Sequence, residues 1–172
     1  MEKSYVFEGP NGLESLSDLF GGRSQLIVYH FMFAPDWDAG CPHCSHWADN
    51  FNSVIVHLNQ RDVSMIAVSR APYGKIDAHK KRMGWGFKWV SSLASDFNFD
   101  YQVSFTPDQL AQKKAFYNFT EQDPGISERE GVSVFYKPVA KPCSSPSSDR
   151  RIRLAQYFVW AVPSAKFVTC PL

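Results

Sequence analysis

Gln25-Leu26-Ile27-Val28-Tyr29-His30-Phe31-Met32-Phe33, followed after a short loop by Cys41-Pro42-His43-Cys44, is the stretch on which the fold turns. The first run is almost continuous in apolar and β-favouring residues, as in a strand covered on both faces at the centre of a parallel sheet. Beyond the cysteines, Trp47, Ala48, Phe51, Val54, Ile55 and Leu58 recur at helical spacing, which predicts one helix with one buried face. The two cysteines therefore fall at the amino end of a helix. His30, inside the strand run, reads as a satisfied core histidine rather than a ligand.

Working outward, Gly9-Pro10-Asn11-Gly12 is a turn, and residues 13–20 suggest a short helical turn stopped by Gly21-Gly22. Val63 to Ser69 reads as a second buried strand, Gly74 to Gly84 as a surface helix, and Phe87 to Ser91 as a third strand. Ser95-Asp96-Phe97-Asn98 is a capping or turn segment. Lys114 to Phe119 and Gly131 to Lys137 are further strands, with Val132, Val134 and Tyr136 on one face of the latter. Strand, helix, strand, helix, strand with short links implies an α/β class with helices on a largely parallel sheet.

Bulk properties narrow the function. At 172 residues, with 44% hydrophobic and 20% charged residues, the chain is expected to be one soluble domain. No run is long and apolar enough to predict a membrane span, and the first ten residues show no secretory pattern, so a cytoplasmic location is expected. Charge is uneven: residues 1–136 hold 12 Lys/Arg against 16 Asp/Glu, and residues 137–172 hold 6 against 1. We expect a folded domain over residues 1–137 and a basic Pro/Ser-rich tail over 138–172. The tail shows neither regular aromatics nor a continuous basic face, so neither a nucleic-acid nor a membrane partner is expected. Self-association is left open. Cys143 and Cys170 stand isolated in the tail, which disfavours a disulfide framework. Cys41, Cys44 and His46 are one ligand short of a zinc site unless a tail cysteine reaches them, so no metal and no cofactor are expected.

The Cys-x-x-Cys spacing carries chemistry. Thiol exchange needs a thiolate, and a helix amino end offers unpaired N–H groups and partial positive charge to stabilise one. Cys41, at the helix start, is the expected nucleophile. Cys44, one turn on, is the expected resolving thiol, while Pro42 suits the first helical position. Pro42 and His43 lie between the cysteines and tune the thiolate. Trp37 and Arg70 are candidate substrate contacts, the former at an apolar rim and the latter after the second strand, where Arg70 has an equal chance of pairing with an acidic residue. Asp36 and Asp38 read as solvated charges in the loop.

Buried strand, loop, CxxC, helix and a late β-hairpin together resemble thioredoxin-like folds. Residues 5–137 resemble more specifically an uncharacterised thioredoxin-like family whose members are often labelled predicted dithiol-disulfide isomerases. The matching runs are residues 24–33, Gly40-Cys41-Pro42-His43-Cys44-Ser45, Val68-Ser69-Arg70-Ala71-Pro72, Arg82-Met83-Gly84-Trp85, Ser95-Asp96-Phe97-Asn98 and Gly131-Val132-Ser133-Val134-Phe135-Tyr136. Val63 to Val103 also looks like the peroxiredoxin branch, which inserts a helix and strand after the active-site helix. The resemblance implies a central mixed sheet flanked by helices and a dithiol-disulfide oxidoreductase or isomerase acting on a protein or small-molecule thiol or disulfide. It departs from the pattern at Ser133, which stands where thioredoxins carry a substrate-facing proline and is thereby a third candidate substrate contact. It departs again after Lys137, where a closing helix has no candidate and reduced stability is expected. The Pro-His pair resembles that of strongly oxidising periplasmic oxidases, implying a potential above thioredoxin's. Two alternatives stand beside this reading: a thiol-dependent peroxidase, disfavoured because Asp38 occupies the threonine position of the peroxiredoxin pattern, and a redox-inactive binding module.

Overall fold

Residues 3–137 are described in the computed structural model of this chain. In chain order the elements are β1 (Val6–Gly9), β2 (Gly12–Ser15), α1 (Leu16–Leu19), β3 (Gln25–His30), α2 (Pro42–Ala48), α3 (Phe51–Asn59), β4 (Val63–Ser69), α4 (Tyr73–Met83), β5 (Lys88–Ser91), α5 (Phe97–Asp100), α6 (Pro107–Ala111), β6 (Ala115–Tyr117), β7 (Thr120–Gln122) and β8 (Gly131–Tyr136). Six strands make one mixed sheet in the order β2-β1-β5-β4-β3-β8, and β6 and β7 form a separate hairpin. The β3, β4 and β5 strands are parallel, with β8 antiparallel on β3 and β1 antiparallel on β5. This is a thioredoxin-like α/β arrangement.

Alternation along β3 divides the core. Leu26 and Val28 point to one face with Ile66, Val68, Val90 and Phe135, under α1 and α5. Tyr29 and the following Phe31 point to the other, with Ala67, Trp89 and the helical residues Cys44, Ala48 and Ile76. Both faces are thus filled by side chains brought from distant segments, which is what a continuous apolar strand requires. His30 is fully buried in the first layer, its Nε2 lying 2.8 Å from Ser133 Oγ and its ring stacked on Phe97 and Tyr101. Burial holds this imidazole neutral by pushing its pKa down to about 3.

Three expectations change. Residues 13–20 are not a single helical turn: Gly12–Ser15 pairs with β1, and only then does Ser15 cap α1 through a reciprocal box with Asp18. The helix after the cysteines is broken at Asp49 and Asn50. The Asn50 side-chain amide donates at 3.3 Å to the His46 carbonyl, the acceptor its own N–H would take in a continuing helix, and that N–H turns to the Trp47 carbonyl at 3.2 Å; beside it Asp49 accepts the Trp85 indole N–H at 2.9 Å. In consequence α3 buries no residue fully, and Trp47 and Val54 are exposed rather than packed on one buried stripe. In β8 Val132, Val134 and Tyr136 share one face as expected, and Gly131, Ser133 and Phe135 form the deeper one, where Phe135 packs on Phe97 and Tyr101 and Ser133 meets His30. The expected strand at 114–119 shortens to β6 and turns through Asn118 and Phe119, both at positive φ, into β7. The basic tail expected over residues 138–172, with its two cysteines, lies outside the described residues.

Candidate functional site

Cys41 sits at the N-cap of α2 and Pro42 at its first turn, where a missing N–H leaves no hydrogen bond unmade. Its own N–H donates to the Met32 carbonyl at 3.0 Å, tying the loop back to the end of the β3 run. Cys41 is half-buried and Cys44, one turn further, is 2% exposed; both are free thiols. An outer thiol beside an inner one is the arrangement in which one sulfur meets a substrate and the other meets only its partner.

The electrostatics of the inner thiol follow from its surroundings. Burial pushes the Cys44 thiol up to about 12, although the Met32 N–H and the Tyr29 hydroxyl donate to its sulfur and pull the other way. Cys41 adds to the rise, since charge on its sulfur opposes ionisation of Cys44. Tyr29 is itself raised by burial and by Cys44, so it remains a donor throughout the physiological range.

Both thiols open onto a cavity of about 490 Å³. Tyr29, Met32, Phe51 and Met65 line it from the sheet and helix, Trp47 and His43 from the rim of α2, and Arg129, Glu130, Gly131 and Val132 from the chain entering β8. The wall is mostly apolar and the charged groups come from Arg129 and Glu130. The Arg129 Nε donates to Pro124 O at 2.9 Å, and Tyr117 donates to Glu130 O at 2.7 Å, so the hairpin region braces this wall.

Of the residues singled out in the sequence, Cys41, Cys44 and His43 meet at this cavity, and Pro42 lies between them, exposed. Trp37 is half-buried in the preceding loop and is not part of the lining; Trp47, expected as a core residue, stands at the rim instead. Its position three residues after Cys44, on the same helical face, was the available signal. Ser133 is fully buried and bonded to His30 on the opposite face of the sheet, so it is not available to a substrate in this arrangement; residues 129–132 face the cysteines there. Arg70 lies elsewhere too, donating to Glu128 Oε1 at 3.1 Å with its guanidinium over the Phe99 ring. Glu128 is fully buried, accepts from Ser104 Oγ as well, and is pushed by burial up to about 7. Asp36 and Asp38 are exposed. Among the described residues no His/Cys/Asp/Glu group has the clustering a metal ion needs.

Fold and site together define a thioredoxin-fold protein with a free CxxC pair at a helix start. Residues 1–141 match the family described as Bacterial protein of unknown function (DUF899), and the chain belongs to that family. Among curated proteins none matches the chain. Solved structures similar in fold include peroxiredoxin Q of Xanthomonas campestris, at 14% identity over 76% of this chain and 73% of that one with a TM-score of 0.54. Peroxidoxin BcpB of Mycobacterium tuberculosis is 12% identical over 78% and 74%, also with a TM-score of 0.54. At such identities the likeness is one of fold.

Proposed function

We propose that the chain is a thiol-disulfide oxidoreductase in which Cys41 attacks and Cys44 resolves. The observation that carries this reading is a half-buried Cys41 one helical turn before a buried Cys44, both lining an apolar cavity. The Cys41 thiolate attacks one sulfur of a substrate disulfide, forming a mixed disulfide and releasing the first substrate thiolate. Cys44, on losing its proton, attacks the Cys41 sulfur and releases the second, so the substrate is reduced by two electrons and the pair becomes a disulfide. The reverse sequence oxidises a dithiol. Tyr29 and the Met32 N–H, which donate to the Cys44 sulfur, stabilise the anion that the resolving step requires. The apolar wall suits the apolar portion of a thiol or disulfide substrate. His43, exposed beside Cys41, offers a donor to the outer sulfur and favours the reduced pair.

Insulin reduction driven by dithiothreitol, with Cys41→Ser as control, tests the assignment. Equal turnover in the two proteins would remove it. Titration of the pair against glutathione is expected to give a potential above the value of about −270 mV typical of thioredoxin. The peroxiredoxins similar in fold favour one second reading, in which the Cys41 thiolate attacks a peroxide, releasing an alcohol or water as the O–O bond breaks, and the resulting sulfenic acid condenses with Cys44 to a disulfide and water. Peroxide consumption by the same two proteins separates it from disulfide exchange.

A further inference from the structure

The structure assigns His79 as a positioning residue that clamps the backbone on both sides of Cys41. This assignment rests on the reading of Cys41 as the attacking thiol. His79 lies on α4, which the sequence marked only as a surface helix, yet it is 5% exposed and its ring reaches under the cysteine loop. Its Nδ1 is 3.2 Å from the Gly40 N–H and 3.1 Å from Arg82 Nη2. Both partners are donors only, so Nδ1 carries the lone pair and Nε2 the hydrogen. Nε2 faces Ser45 Oγ at 3.5 Å, and that hydroxyl donates to the Cys41 carbonyl at 3.0 Å. One ring thus accepts from the residue before Cys41 and, through Ser45, reaches the carbonyl of Cys41 itself.

The surroundings make this contact specific. A Cβ at Gly40 would lie 2.6 Å from Phe31 Cε1 and 3.2 Å from His79 Cε1, so the loop backbone is pressed against these rings with no room for a side chain. Burial and the neighbouring Arg82 cation both hold the imidazole neutral, which preserves the lone pair that the Gly40 N–H requires. Edge contacts with Phe31 and Trp89 and tilted contacts with Phe33 and Trp85 fix the ring plane. The clamp fixes the backbone on either side of Cys41 and with it the place of the Cys41 thiol at the start of α2.

The test uses the reduced full-length protein, pulsed with iodoacetamide and quantified by mass spectrometry at the peptide carrying Cys41. Alkylation does not depend on disulfide exchange, so loss of exchange in the insulin assay would strike the functional reading and leave this measurement standing. His79→Leu is expected to change the Cys41 rate downward by about tenfold through displacement of the thiol. Ser45→Ala, which cuts one arm, lowers it by about threefold. His79→Asn, which retains an acceptor for the Gly40 N–H, recovers most of the loss. Nitrogen chemical shifts of His79 in the wild type are expected to report the Nε2–H tautomer at neutral pH. A folded His79→Leu protein reacting at the wild-type rate, His79→Asn no faster than His79→Leu, or an Nδ1–H tautomer would each overturn the clamp. If His79→Leu does not fold, the tautomer and the Ser45→Ala rate decide, and an unchanged Ser45→Ala rate overturns it.

Discussion

Tyr29 and Cys44 line one cavity, and the Tyr29 hydroxyl, as a donor, lowers the pKa of the inner thiol against the larger effect of burial, so the strand that opens the fold also acts on that thiol. Replacing Tyr29 with Phe removes that donor and leaves the ring. The resolving step is expected to slow by about tenfold, the worth of roughly one hydrogen bond, with attack by Cys41 little changed. Stopped-flow separation of the two thiol-release steps measures this, and equal slowing of both would show that Tyr29 acts on Cys41 instead.

Cys44→Ser keeps the outer thiol and removes the resolving one. The variant is expected to accumulate a stable mixed disulfide at Cys41 with an apolar aromatic disulfide, visible as a mass increase, where the wild type closes its own pair. Rapid release without accumulation would mean that another thiol resolves Cys41.

Gly40→Ala inserts a methyl group against Phe31 and His79. Relief requires the loop to shift, at a cost of about 1–3 kcal/mol, so chemical denaturation should show a lower midpoint and insulin reduction a lower rate. A midpoint equal to that of the wild type would show that the loop yields freely.

His30 is neutral and fully buried, with a folded-state pKa near 3 against an ordinary 6.5. The unfolded chain binds this proton more readily, so His30 contributes stability that is present above pH of about 6.5 and is lost as pH falls toward the folded value, at about 1.4 kcal/mol per pH unit. His30→Gln should lower stability at neutral pH and flatten its fall in acid. Thermal midpoints from neutral to acidic pH measure the slope, and parallel curves would count against the assignment.

Glu128 acts with the opposite sign. Its folded-state pKa, pushed up to about 7, exceeds its ordinary 4.5, so the folded protein binds the proton more tightly. Its contribution is fully present below the unfolded value and is lost as pH rises through the folded one, again at about 1.4 kcal/mol per unit. The Arg70 and Ser104 partners lessen the penalty of burying the carboxylate without removing it. Glu128→Gln should therefore gain on the wild type as pH rises from about 4.5 to about 7. A stability difference constant across that interval would contradict this.

Much of the fold was legible because it is written locally. The β4 strand runs over the predicted Val63 to Ser69, and β3 begins where its apolar run begins, since a strand covered on both faces needs apolar residues at successive positions. Pro42 after Cys41 marked the start of α2 for an equally local reason. The break at Asp49 and Asn50 escaped because the periodicity of apolar residues runs through it, while the side chains at the break turn to the His46 carbonyl and to the Trp85 indole, 36 positions from Asp49.

By itself the sequence determined that two cysteines stand at the start of a helix behind a buried strand, through periods of two and 3.6 residues that operate over a few neighbours. Tertiary structure alone decided what surrounds them. Strand register turned Ser133 toward His30, 103 positions distant, and brought residues 129–132 to the cavity in its place. Packing of α4 carried His79 to Gly40 across 39 positions, and the return into β8 delivered Glu128 to Arg70 across 58. Such pairings depend on which face a side chain takes and on which strands lie side by side, and neither is expressed in local spacing.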